Sequence, residues 1–219
     1  MRRPPKLGKS IPRLGLTPGV RHGVLPWGCL LGVLLLAAAG GPGWGADAPA
    51  VPVTLGAGTG GTGAWTCVAA AHSPSTLKVD ASAGPESTPA AVLEFSFSAT
   101  QYNWNWATVG TAGLDLSGFT AVRVTYRTEV PAGFASLSVM LRESTGGSYW
   151  VPQVLPLSPR RWHTAIVPFS RFTVPAWSKD ANSTLDLDLV TAVSIGLETA
   201  RSGPGRVILA DVELLPAGW

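Results

Sequence analysis

Residues 114–143, LDLSGFTAVRVTYRTEVPAGFASLSVMLRE, constrain the fold more than any other stretch. Val122, Val124 and Tyr126 alternate with Arg123, Thr125 and Arg127, and Leu137, Val139 and Leu141 alternate with Ser138, Met140 and Arg142. A period of two sends one set of side chains to a core and the other to water. Pro131-Ala132-Gly133 breaks the run as a reversal between antiparallel neighbours would. The pattern therefore predicts a hairpin with Arg123 and Arg142 on adjacent strands. The opening turn has an echo: Leu114, Asp115, Leu116, Thr120, Ala121 and Val122 recur as Leu185, Asp186, Leu187, Thr191, Ala192 and Val193. Two copies are too few for a repeat array. They read as one device used twice, a turn that feeds a core strand.

The remaining chain reads as short strands between Gly, Pro, Ser and Asn. Candidates are 64–70, 76–81, 91–98, 101–109, 120–127, 135–142, 149–155, 162–167, 190–197 and 206–214. Strands at this spacing, without a long amphipathic helix, predict an all-β antiparallel β-sandwich of jelly-roll type. The expected organisation is a signal peptide over 1–48, a Gly/Pro/Ala/Thr linker over 49–63 and one sandwich domain over 64–219.

The signal-peptide expectation rests on order. Arg2, Arg3, Lys6, Lys9, Arg13 and Arg21 precede an uncharged stretch from Gly23 to Ala46, which holds Leu34-Leu35-Leu36 and then Ala37-Ala38-Ala39. Basic, apolar, then small residues is the layout of a secretory leader, and Ala46-Asp47-Ala48 suits cleavage. The continuous apolar core is shorter than the roughly 20 residues of a membrane-spanning helix. The expectation is a secreted, periplasmic or cell-surface protein, with a membrane contact only if the leader is retained as an anchor. The leader carries six of the 16 basic residues and one of the 13 acidic ones, leaving ten and twelve, a net charge of −2. The basic excess belongs to the leader, so no nucleic-acid partner is implied. Cys67 is then the one remaining cysteine, so apolar packing rather than a disulfide must hold the domain.

Gly56, Gly58 and Gly61 fit a dinucleotide-binding G-x-G-x-x-G, with Asp80 19 positions beyond. Pro52 sits where that fold needs a buried central strand, and β-rich sequence follows instead of βα units. A linker is the better account.

Arg161-Trp162-His163-Thr164-Ala165-Ile166-Val167-Pro168-Phe169 and Val207-Ile208-Leu209-Ala210-Asp211-Val212-Glu213-Leu214 follow the first LDL segment, with the second LDL copy between them. In that order these segments resemble the galactose-binding-like jelly rolls of bacterial carbohydrate-binding modules. They are similar to family 11 modules and to the complex I intermediate-associated protein 30 domain, over roughly residues 65–215. The resemblance implies a sandwich that binds a polysaccharide without catalysis. It also implies that a structural calcium can be held, and that an acidic pair stands in the last strand. Here Ala210 takes the first place of that pair beside Asp211. No metal ligand is therefore assigned and no cofactor is expected.

Chemistry in the mature chain favours binding over catalysis. His72 and His163 are its histidines, and neither G-x-S-x-G nor H-E-x-x-H occurs. The aromatics carry more. In Gln101-Tyr102-Asn103-Trp104-Asn105-Trp106, alternation puts the three rings on one face and Gln101, Asn103 and Asn105 on the other. Flat rings suit the C–H faces of sugars, and amides and guanidinium groups suit their hydroxyls. An aromatic stripe on a strand is ordinarily core, in which case the amide row becomes the exposed one. The candidate ligand-binding residues are Arg123, Arg142, Tyr149, Trp150 and Gln153, with Trp104 and Trp106 in reserve. Tyr149 and Trp150 follow Gly146-Gly147, so one of the two should reach the rim. The expected partner is a polysaccharide or other glycan. The alternatives are a structural or protein-interaction sandwich of the cell envelope, or an assembly factor, and then a jelly-roll lyase or hydrolase.

Overall fold

The computed structural model describes residues 51–56, 63–99 and 101–219. The leader expected over 1–48 and most of the glycine run lie outside these residues. Among the described residues eleven strands form in chain order: β1 Val53–Gly56, β2 Trp65–Ala69, β3 Ser75–Asp80, β4 Ala90–Phe97, β5 Asn103–Gly110, β6 Phe119–Glu129, β7 Leu137–Glu143, β8 Ser148–Leu155, β9 His163–Pro168, β10 Val190–Thr199 and β11 Gly203–Pro216. They pair antiparallel in two sheets. One runs β3-β4-β11-β6-β9 with β1 beside β11, and the other runs β2-β5-β10-β7-β8. The architecture is the expected β-sandwich.

The core is the space between the sheets. From one side come Leu93, Phe95, Val122, Val124, Tyr126, Val207 and Leu209, and from the other Ala107, Val109, Leu137, Val139, Leu141, Val193, Ile195 and Leu197. These are the alternating positions of each strand, so a one-residue slip would turn a whole set to water. The two LDL turns meet: the Leu116 N–H donates to the Leu187 carbonyl at 3.2 Å. Leu116 is fully buried there, with Leu187 packed against the same core. One device thus launches β6 into one sheet and β10 into the other.

Two expectations are corrected. The β6–β7 connection is not a hairpin, because β6 lies in the six-stranded sheet and β7 in the five-stranded one. Alternation is the same for two strands side by side and two strands face to face. Here the apolar faces of β6 and β7 are buried by facing each other, and the Pro131–Gly133 segment carries the chain between sheets. Gly133 supplies the φ of 87° that this turn needs, and Phe134 behind it stacks on Phe97 at 6.3 Å. Second, Val53–Gly56 falls within the stretch expected as linker, yet pairs with β11 and buries Leu55 completely. Four residues are too short a run to stand out beside the glycines.

Candidate functional site

β5 supplies the site. Trp104 and Trp106 point away from the core, on the outer face of the five-stranded sheet, while Asn103 and Asn105 on the opposite face are fully buried. The amide row is therefore not the exposed one. Asn103 is kept inside by local bonds: its Nδ2 donates to the Ser98 and Gln101 carbonyls at 2.7 and 2.9 Å, and its Oδ1 accepts from Ser73 Oγ at 3.1 Å. A buried amide satisfied in this way ties down the turn before β5 and fixes which face its tryptophans present.

Across the sheet the partners of β5 leave room. Trp106 stands opposite Gly196 of β10, and Trp104 opposite Glu198. A Cβ on Gly196 would run into the Asn105 carbonyl and the Trp106 Cα, so glycine is required by the close approach of the two strands. Ser194 and Gly196 keep the outward row of β10 low, and Met140 and Arg142 rise on β7 beyond it. The result is a groove of about 340 Å³. Tyr102, Trp104 and Trp106 form one wall, Met140 and Arg142 the other, with Trp177 and Glu198 completing the rim. Tyr102 and Trp177 are more than half exposed, at 57% and 54%.

Trp177 comes from the long connection between β9 and β10. That connection is stitched to β8: the Trp150 N–H donates to the Thr173 carbonyl at 2.9 Å, and the Thr173 N–H donates to the Trp150 carbonyl at 3.1 Å. Trp150 then meets Trp177 edge to face, centroids 6.0 Å apart. Glu198 accepts a hydrogen bond from the Tyr102 hydroxyl at 3.1 Å. Burial holds its carboxyl above the ordinary glutamate value, an effect the Tyr102 bond partly offsets. Burial likewise draws the Arg142 guanidinium below its usual value.

The candidate residues separate. Arg142, Trp104 and Trp106 line the groove, and Trp150 stands behind Trp177. Arg123 does not join them. It lies on β6 in the other sheet, where its Nε and Nη2 donate to the Glu213 carboxylate at 2.6 and 2.8 Å and its guanidinium sits 4.6 Å from the Trp219 ring centroid. Tyr149 points inward and is 2% exposed, its hydroxyl donating to Asp180 Oδ2 at 2.7 Å. Of the pair after the Gly-Gly turn, Trp150 holds the outer face. Gln153 is exposed in a bulge of β8 with φ 50°, its N–H donating to Ser138 Oγ at 2.9 Å. Trp177 and Glu198 were missed. Trp177 lies in a connection without period, and the one signal was its isolation as a large ring among Pro, Ser and Lys.

A second concavity of about 570 Å³ opens at the end of the other sheet, among Phe119, Ile166, Pro168, Leu215 and Trp219. It is larger, but no charged side chain lines it. It offers little to orient a hydroxyl-rich ligand. Among the described residues no group of three or more His, Cys, Asp or Glu could hold a metal ion.

No family model matches the chain, and no curated protein does. Solved structures do. The chain is similar to the family 11 carbohydrate-binding module from Clostridium thermocellum in complex with a β-1,3-1,4-mixed-linked tetrasaccharide. Identity is 17%, the match covers 76% of this chain and 96% of that one, and the TM-score is 0.56. It is similar to the family 30 module of a cellulosomal cellulase from the same organism, with 13% identity, 77% and 99% coverage and a TM-score of 0.53. It also matches 23% of a β-1,2-glucanase from Parabacteroides distasonis, over 70% of this chain, at 16% identity and a TM-score of 0.53. None of these is the complex I intermediate-associated protein 30 domain. At such identities the likeness is one of fold: the chain has the jelly-roll sandwich of carbohydrate-binding modules, and function must be argued from the site.

Proposed function

We propose that this is an exported, non-catalytic carbohydrate-binding domain that holds a polysaccharide along the outer groove of the five-stranded sheet. The observation that carries the reading is the opposition of aromatic and polar groups across one groove. Tyr102 and Trp177 offer exposed ring faces and Trp104 a half-buried one, over a floor set by the buried Trp106, and Arg142 and Glu198 offer a donor and an acceptor for hydroxyls. The sandwich holds the strands that present these side chains, so little ordering remains to be done on binding. Glycoside hydrolysis by paired carboxylates needs two across the scissile bond. Among the described residues Glu198 is the one carboxylate lining the groove. The carbohydrate-binding modules that share this fold support the reading.

A glycan microarray probed with the full chain tests it, with Trp177→Ala beside the wild type. Binding of a polysaccharide that the variant loses is the expected result. Wild-type protein that binds no glycan, or a variant that binds as well, would count against the groove. The second reading, a protein-interaction sandwich, draws on the apolar concavity at Leu215 and Trp219.

A further inference from the structure

Arg142 carries a feature that stacking leaves unused. On the outer face of the other sheet, arginines are matched with carboxylates: Arg123 with Glu213 at 2.6 Å, Arg127 with Glu129 at 3.1 Å, and Arg206 with Glu94 and Glu129 at 3.2 and 3.3 Å. Arg142 has no such partner. Among the described residues its side chain makes no ion pair and no hydrogen bond; its Nε is buried without an acceptor, as are those of Arg127 and Arg206, but those two have the carboxylate partners that Arg142 lacks. The acids nearby are committed elsewhere. Glu143, next in sequence, points inward and accepts from the Asp186 N–H at 2.8 Å and Thr145 Oγ1 at 3.1 Å. Glu198 accepts from Tyr102 on the far wall. A guanidinium drawn partly out of water without a counter-charge is costly, and its planar fork of donors is left idle.

We infer that the groove takes an acidic glycan, and that Arg142 receives its anionic group, a uronate carboxylate or a sulfate ester. The inference rests on the glycan-binding reading and narrows it. Neutral hydroxyls would satisfy the donors but leave the charge uncompensated. An oxyanion does both, and a bidentate contact with a carboxylate or sulfate matches the guanidinium geometry. The tryptophans beside it stack the ring that carries the anion. They also thin the water around the pair, which strengthens its attraction.

The test uses the full chain and matched polymers. Polygalacturonate, polyglucuronate and alginate are each titrated beside their carboxyl-reduced forms, and a sulfated galactan beside its desulfated form. Wild-type protein should bind an acidic polymer on the order of tenfold or more tighter than its neutral counterpart. That preference should weaken as salt is raised. Arg142→Gln should abolish the preference and its salt dependence while melting near the wild type, and Arg142→Lys should keep part of it. Preference for the uronates assigns a carboxylate, and preference for the sulfated polymer alone assigns a sulfate. If each neutral polymer binds as tightly as its acidic parent, the acidic-glycan inference is overturned while the glycan reading stands. If no polymer binds, acidic or neutral, the acidic-glycan inference is overturned, and the microarray decides the glycan reading separately.

Discussion

Trp150 and Trp177 meet edge to face, with ring centroids 6.0 Å apart and planes at 74°. The first ring belongs to an edge strand, the second to the connection hydrogen-bonded along it. The pairing fixes the connection at the groove's rim. Trp177 keeps more than half its surface in solvent, so it contributes little to the core. Trp177→Ala should therefore weaken glycan binding by about 1 kcal/mol or more and change folding stability by roughly half a kcal/mol at most. Calorimetric titration and a melting curve on the same sample check both halves. A large fall in melting temperature would mean that the ring braces the connection instead.

Arg123 gives the opposite expectation. Its fork closes on Glu213 across β6 and β11, with side chains 22% and 17% exposed, and Trp219 lies over it. None of this touches the five-stranded sheet. Arg123→Ala should leave glycan affinity unchanged and cost more stability than the ~1 kcal/mol of a solvent-exposed pair, because it strands the mostly covered Glu213 carboxylate without its partner. Affinity measured beside Arg142→Gln separates the two arginines, which the sequence had placed on one surface.

That pairing shows what alternation can and cannot carry. It identified the inward rows of β6 and β7 residue by residue, because burial on one face leaves no freedom of register. It could not say whether two such strands lie in one sheet or in opposite sheets, since each arrangement buries the same residues. The same limit applied to β5. The sequence showed that Trp104 and Trp106 share a face and that Asn103 and Asn105 share the other. Which face was core depended on whether the amides could be satisfied inside. Asn103 is, through Ser98, Gln101 and Ser73, partners from turns that no period marks, whereas Asn105 donates to Ser75 Oγ at 3.2 Å and keeps a buried Oδ1 without a partner. Trp177 was illegible for a related reason: its position is set by the Thr173–Trp150 pairing, a contact across 23 residues.

β1 starts at Val53, and Leu55 within it is fully buried. A cut between about Gly40 and Val51, the range of the small-residue sites, leaves that strand whole. N-terminal sequencing of protein recovered from its host should find a start in this window. A retained Met1 in the membrane fraction would show that the leader serves as an anchor.

Burial of Glu198 makes its contribution to stability fall as pH rises. Its carboxyl is held above the ordinary value, chiefly by burial, so the fold disfavours the ionised form. A raised folded-state value means that the group's contribution is fully present below the unfolded glutamate range, about 4.3, and is lost as pH rises through the folded value. Glutamine keeps an oxygen to accept from the Tyr102 hydroxyl and cannot ionise. Glu198→Gln should therefore melt close to the wild type in acid and above it at neutral pH, with the gap opening as pH rises. Melting temperatures of both proteins from pH 4 to pH 8 check this. A constant gap would mean that the substitution acts through packing rather than charge. A variant less stable at neutral pH would mean that the ionised carboxylate is favoured by the groove, against the direction its burial implies.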